Sequence, residues 1–154
     1  MVENFEQLLA AHSFFKGIDA KYISRLAEQA TPVSFKAGEY IFHQSEKARQ
    51  FYLLNEGKVA VEVPTLVHGS ITIQTTGQNE ILGWSWLFPP YTWHFDARAM
   101  EATNALVFDG EWLRGQCEED HELGYAFMKR ISETVVNRLQ ATRLQLLDVY
   151  GIHF

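Results

Sequence analysis

The spacing of hydrophobic positions changes twice along the chain. Up to Ala30 the spacing is helical, and Ile23 and Leu26 fall on one face of a predicted helix. Asp19 precedes this helix and is of a residue type that favours the N-cap position. Between residues 31 and 110 the spacing alternates, as in Ser70-Ile-Thr-Ile-Gln-Thr, and turn signals recur about every ten residues. From Glu111 onward the helical spacing returns. The pattern predicts two helices, about eight short strands and two further helices.

This order predicts a mainly β fold with flanking helices, namely a jelly-roll β-barrel with a long C-terminal helix. The long helix is expected from about Leu123 to Tyr150, where Gly151 suits a left-handed cap position. We expect one domain over residues 1–154. Its predicted parts are N-terminal helices at 1–30, a β-roll at 31–110 and C-terminal helices at 111–151.

Composition narrows the possible partners. The chain is 47% hydrophobic, which favours a packed core, and its formal charge of −6 argues against nucleic acid as a partner. No apolar run approaches the roughly 18 residues that span a bilayer, so no membrane partner is expected. Glu3 and Glu6 stand where a signal peptide is basic, and Cys117 is the only cysteine, so we expect a cytoplasmic protein.

Three glycines in turn positions carry a family resemblance. Gly38 lies in Phe35-Lys-Ala-Gly-Glu-Tyr-Ile-Phe, Gly57 in Phe51-Tyr-Leu-Leu-Asn-Glu-Gly-Lys-Val, and Gly83 follows Ile81-Leu. With the order of elements, they resemble the cyclic nucleotide-binding domain of catabolite-activator-type transcription factors and cyclic-nucleotide-dependent kinases. Ser45 departs from the family, which usually has another glycine there.

The resemblance implies a regulatory, non-enzymatic domain. The family's transcription factors continue past the long helix into a helix-turn-helix domain. Because this chain ends at Phe154, we expect a stand-alone sensor without a DNA-binding domain.

The family's phosphate-binding cassette is where this chain departs most. In the family a glutamate accepts from the ribose 2′-hydroxyl and an arginine pairs with the cyclic phosphate. Here Trp84 occupies the glutamate position, and Trp93 occupies the arginine position, or His94 if the loop shifts by one residue. Arg98 lies five residues beyond that position, so we expect a rim or structural role for it. We therefore predict that cyclic AMP is not bound in the usual way.

Aromatic side chains replace the polar ones, and three interpretations of them stay open. An open pocket would bind a planar or apolar ligand on its indole faces. Alternatively, the tryptophans fold inward and fill the vacated site, or they form a patch where a protein partner docks. The candidate ligand-binding residues are Gly83, Trp84, Ser85, Trp86, Trp93, His94 and Phe95. Two further alternatives for the function are a cyclic-nucleotide receptor that uses Ser85, His94 and backbone N–H groups, and a degenerate structural module that serves dimerisation.

Other chemistry has little support in the sequence. The six histidines are scattered without the spacing of a metal site, and one cysteine cannot hold an iron–sulfur cluster. No nucleophile elbow or phosphate-cradling loop occurs. We expect no metal, no cofactor and no enzymatic activity.

The long C-terminal helix is the predicted dimer interface. An apolar stripe on it approaches an 11-residue repeat, which favours a nearly straight helix pair. The resemblance also implies that this helix pairs two subunits, so a homodimer is expected. The residues of the stripe are Met128, Ile131, Val135, Leu139, Leu146 and Val149.

Overall fold

The computed structural model describes residues 4–152, so the first three residues of the predicted N-terminal region and the last two of the chain lie outside it. Two helices come first, α1 (Phe5–Ala11) and α2 (Ala20–Ala27), with a 3-10 turn at Ser13–Phe15 between them. Asp19 caps α2, because its Oδ1 accepts a hydrogen bond from the Lys21 N–H at 3.0 Å. The predicted start of the second helix is confirmed.

Eight strands follow in the described chain. They are β1 (Thr31–Phe35), β2 (Tyr40–Phe42), β3 (Gln50–Glu56), β4 (Lys58–Thr65), β5 (Gly69–Gly77), β6 (Ile81–Leu82), β7 (Asp96–Ala99) and β8 (Thr103–Asp109). They form two four-stranded antiparallel sheets, in the orders β1-β8-β3-β6 and β2-β7-β4-β5. The mainly β fold with flanking helices is confirmed, although the strands form two sheets and not a closed barrel. The sequence pattern predicted no strand at Ile81–Leu82, because two residues are too few to show an alternation.

The turn between β3 and β4 leads from one sheet into the other and depends on Gly57. This glycine has φ +103°, and a Cβ there would lie 2.6 Å from the carbonyl oxygen of Ala102. Both the left-handed backbone and the lack of space require glycine at this turn. Gly38 and Gly83 also have positive φ, +91° and +79°, as the turn positions of the resemblance require.

The chain divides into two compact units, the first ending at Gly115 and the second beginning at Gln116. Phe51, Leu53 and Leu54 of β3 and Leu106 and Phe108 of β8 are buried in the first unit. The boundary falls within α3 (Gly110–Glu119), which Asp109 caps by accepting from the Trp112 N–H at 2.9 Å.

The long helix α4 spans His121–Val149. Asp120 is its N-cap, since its Oδ1 accepts from the Leu123 N–H at 3.2 Å, whereas Glu118 and Glu119 before it are the last residues of α3. At the other end Gly151 has φ +75° and the Ile152 N–H donates to the Leu147 carbonyl, which confirms the predicted glycine cap. Of the predicted stripe only Ile131 is buried, with Leu123 and Phe127 on the same side of the helix.

Candidate functional site

The cassette, residues 83–95, runs from the end of β6 to the start of β7. Gly83 opens it with φ +79°, and the Trp93 ring lies against this glycine. A Cβ added at Gly83 would lie 2.7 Å from Cζ3 of Trp93 and 3.4 Å from Cζ of Phe95. The missing side chain of Gly83 therefore provides the space into which the Trp93 indole packs.

Trp93, predicted from the sequence to stand at the position of the family's arginine, is buried. It is 3% exposed, and its ring stacks on Phe42 with centroids 3.8 Å apart and planes 5° from parallel. Its backbone is also held, since its N–H donates to the Glu46 carbonyl at 2.9 Å and its carbonyl accepts from the Ser45 N–H at 2.7 Å. Ring and backbone together hold the Trp93 indole in the interior of the first unit.

Trp86, at the other end of the cassette, belongs to a second aromatic cluster. It is fully buried, and its ring centroid lies 4.9 Å from that of Phe51 on β3. Phe51 in turn contacts Phe14 of the N-terminal turn at 5.3 Å and Phe108 of β8 at 6.2 Å. This end of the cassette is therefore part of the core of the first unit.

The other predicted site residues differ in burial. Ser85 is buried, Trp84 and Phe95 are half-buried, and His94 is exposed. Because the Trp93 side chain is buried while that of His94 points to solvent, no one-residue shift brings the histidine inward. The structure brings Gly83, Trp93 and Phe95 together, and it places Trp86 in the other cluster.

Arg98 does not replace the missing cation. Its Nε and one terminal nitrogen each lie 3.0 Å from an oxygen of Glu62 on the neighbouring strand β4. Glu62 is 4% exposed, so the guanidinium neutralises a buried carboxylate. This pairing is the structural role expected for Arg98.

Two residues that hold the cassette were missed from the sequence. Arg114 of α3 donates to the Trp86 carbonyl, and its guanidinium lies 4.0 Å from the centroid of the Tyr91 ring. Phe42 supplies the face on which Trp93 stacks. Neither has a signal in local spacing, because both approach the cassette from distant parts of the chain.

No group of three or more histidine, cysteine, aspartate or glutamate side chains within residues 4–152 is arranged to hold a metal ion. Among the helices in this part of the chain, none is long and apolar enough to cross a bilayer.

Comparison with known proteins agrees with this architecture. The family model described as "Cyclic nucleotide-binding domain" matches residues 32–120. No curated protein matches the chain. A putative cyclic nucleotide-binding protein from Geobacter metallireducens has 27% identity and a TM-score of 0.78, with 90% of this chain and 99% of that one covered.

Two further solved structures share the fold at lower identity. A cyclic nucleotide-binding domain from Methylobacillus flagellatus has 14% identity and a TM-score of 0.79, covering 94% of this chain and 81% of its own. The N-terminal domain of a transcriptional regulator from Streptomyces coelicolor has 19% identity and a TM-score of 0.69, covering 87% of this chain and 94% of its own. The family match spans more than half of the chain, which therefore belongs to the cyclic nucleotide-binding domain family.

Proposed function

We propose that the chain is a regulatory, non-enzymatic module that does not bind a cyclic nucleotide through the two polar contacts of its family. The observation that carries this proposal is the buried Trp93 ring, stacked on Phe42 at the position of the family's arginine. The cytoplasmic location predicted from the sequence is part of the same proposal.

The energetic argument concerns the cyclic phosphate and the ribose. Losing a charge-assisted pair weakens binding by about 2–5 kcal/mol, and losing a hydroxyl acceptor weakens it by about 1–3 kcal/mol more. A loss of that size moves a micromolar dissociation constant to the millimolar range or beyond. The nearby Arg98 is engaged by Glu62 and does not offset the loss.

Calorimetric titration with cyclic AMP and cyclic GMP tests the proposal. We expect no saturable binding by the wild type up to about 1 mM nucleotide. The Trp84→Glu/Trp93→Arg variant restores both polar anchors and should gain at least about tenfold in affinity. The matched control Trp84→Gln/Trp93→Gln opens the same space without charge and should gain nothing. Micromolar binding by the wild type would refute the proposal.

The observations on α4 support a second proposal, that two copies of the chain pair through this helix. Its exposed side carries a series of residues separated by alternating steps of three and four, the spacing of a coiled-coil seam. Leu139, Leu146 and Val149 of this series are 48%, 56% and 80% exposed. The full series is Tyr125, Met128, Ser132, Val135, Leu139, Thr142, Leu146 and Val149.

This seam revises both the composition of the predicted stripe and its spacing, which changes from an approach to an 11-residue repeat to a seven-residue one. Ile131 is buried within the chain and leaves the set, whereas the other five predicted residues stay in it. Pairing of this seam would protect apolar side chains that the rest of the described chain leaves in water.

Sedimentation equilibrium tests the pairing. We expect a wild-type dimer that Leu139→Asn/Leu146→Asn weakens by at least about a hundredfold. Leu144 is equally exposed, at 59%, but lies off the seam, so Leu144→Asn is the matched control and should leave the dimer intact. A wild-type monomer at high concentration would contradict the pairing.

A further inference from the structure

An open cleft of about 620 Å³ lies in the first unit, beside the buried tryptophan of the cassette. Its volume is in the range of small-molecule sites, which are typically about 300–1,000 Å³. Its lining combines buried aromatic rings with charged and polar side chains. These residues are Phe42, Glu46, Lys47, Arg49, Gln50, Tyr52, Trp93 and Asp109.

The floor of the cleft is aromatic and held in place. Trp93 and Phe42 are stacked on one another, and the Tyr52 ring lies 6.1 Å from that of Phe42. The Tyr52 hydroxyl donates to Oε1 of Gln50 at 2.8 Å, which fixes both side chains at the wall. Burial, with a smaller contribution from Glu46, raises the pKa of Tyr52 to about 12, so the hydroxyl stays neutral at physiological pH.

Both carboxylates of the rim have local structural roles. Oε1 of Glu46 accepts from the His43 N–H at 2.6 Å and closes the turn after β2. Oδ1 of Asp109 accepts from the Trp112 N–H and caps α3. These hydrogen bonds explain why acidic residues stand at both positions.

The two cations of the rim have no such explanation. Within residues 4–152, the side chains of Lys47 and Arg49 form neither a hydrogen bond nor an ion pair. They stand two residues apart on a segment whose backbone is fixed, since Lys47 bridges to Thr92 and the Arg49 carbonyl accepts from the Gly110 N–H at 2.7 Å. The rim therefore presents two positive charges without a partner above an aromatic floor.

We propose that this cleft binds a small aromatic anion, with its ring against the small exposed parts of Trp93, Phe42 and Tyr52 that line the cleft and its acidic group between Lys47 and Arg49. Guanidinium and ammonium groups are the usual partners of carboxylates, and edge or face contacts with aromatic rings favour a planar ligand. The inference rests on the proposed function in one respect, since Trp93 must stay packed on Phe42 to form the floor. It assigns a ligand class to the sensor predicted from the sequence.

Calorimetry with 2-naphthoate as the probe tests the assignment, and naphthalene-2-carboxamide serves as its neutral counterpart. We expect saturable naphthoate binding by the wild type, weakened about tenfold or more in Lys47→Gln/Arg49→Gln. Lys36→Gln/Lys58→Gln removes the same net charge from residues outside the cleft and should bind as the wild type does. The carboxamide should bind weakly to all three proteins.

Two results would overturn the assignment: no saturable naphthoate binding up to about 10 mM, or equal affinity in the wild type and the Lys47→Gln/Arg49→Gln variant. Cyclic AMP titrated into the same proteins separates this failure from that of the proposed function. If neither naphthoate nor cyclic AMP binds, the ligand class assigned to the cleft is refuted and the proposed function is not. Micromolar cyclic AMP binding by the wild type refutes the proposed function, whatever the result with naphthoate.

Discussion

The cassette and the second half of α4 are both rich in large apolar side chains, yet they differ in burial. Trp86 and Trp93 of the cassette are 0% and 3% exposed, whereas Leu146 and Val149 of α4 are 56% and 80% exposed. The cassette finds apolar partners within its own chain, whereas Leu146 and Val149 stay exposed among residues 4–152. Apolar content alone therefore does not distinguish a ligand pocket from a core or an interface.

The difference has a local cause. The cassette lies beside strands that offer aromatic rings at both of its ends, Phe42 for Trp93 and Phe51 for Trp86. In α4, every residue from 139 to 146 is exposed. We therefore expect substitutions in the cassette to change folding stability, and those on the helix to change association.

The largest expected contrast is between Trp86→Ala and Leu146→Ala. Removing the fully buried indole should lower the free energy of unfolding by about 3–5 kcal/mol, whereas Leu146→Ala should change it by less than about 0.5 kcal/mol in the monomer. Urea denaturation at low protein concentration measures both. Equal effects of the two substitutions would remove the distinction between the regions.

Gly83→Ala sharpens the account of the cassette. The left-handed φ and the 2.7 Å approach to Trp93 should together lower stability by about 2–3 kcal/mol. In a double-mutant cycle with Trp93→Ala, the part of this stability loss that comes from the clash with the Trp93 ring should disappear, and only the part from the left-handed backbone should remain. Strict additivity of the two substitutions would show that the Trp93 ring does not pack on Gly83.

The pH dependence of stability is expected to involve His12, which lies next to Phe14 of the aromatic cluster around Trp86. His12 is buried behind Phe14, accepting from the Phe14 N–H at Nδ1 while Nε2 faces the Leu54 carbonyl, both at 3.1 Å. Burial lowers the pKa of His12 below its usual 6.5, and hydrogen bonding to the carbonyls of Leu54 and Glu80 opposes this shift only in part.

Between the folded pKa and 6.5, the unfolded chain binds the His12 proton and the folded chain does not. Stability should therefore fall as the pH drops below about 6.5, by at most about 1.4 kcal/mol per pH unit for this group. Urea midpoints between pH 8 and pH 5 measure the slope, and His12→Gln should reduce it. An unchanged slope in that variant would assign the effect to other groups.

The smallest expected effect is a gain in stability. Ser45 has φ +72° and donates its N–H to the Trp93 carbonyl at 2.7 Å, at the position where the family usually has glycine. Ser45→Gly should relieve the left-handed strain and stabilise the chain by about 0.4–1 kcal/mol. A loss of stability in thermal denaturation would indicate that the hydroxyl makes a contact that outweighs this strain.

The sequence predicted the order of elements and the glycine cap at the end of α4, because helix periodicity and the left-handed preference of Gly151 are local properties, but it did not name Asp120 as the N-cap. It also located the cassette through Gly83. It did not decide between an open and a filled site, because the burial of Trp93 depends on Phe42, about fifty residues away in the chain. Likewise, the role of Arg114 depends on a tertiary contact with the Trp86 carbonyl.

Solvent access to Trp93 tests the central claim most directly. The chain has four tryptophans, so 5-fluorotryptophan labelling gives four fluorine NMR signals that single Trp→Phe variants assign. With a water-soluble gadolinium chelate, we expect the signals of Trp86 and Trp93 to keep their widths, while those of the half-buried Trp84 and Trp112 broaden. If the Trp93 signal broadens as much as that of Trp112, the cassette is open to solvent and the Trp93 indole does not fill the site.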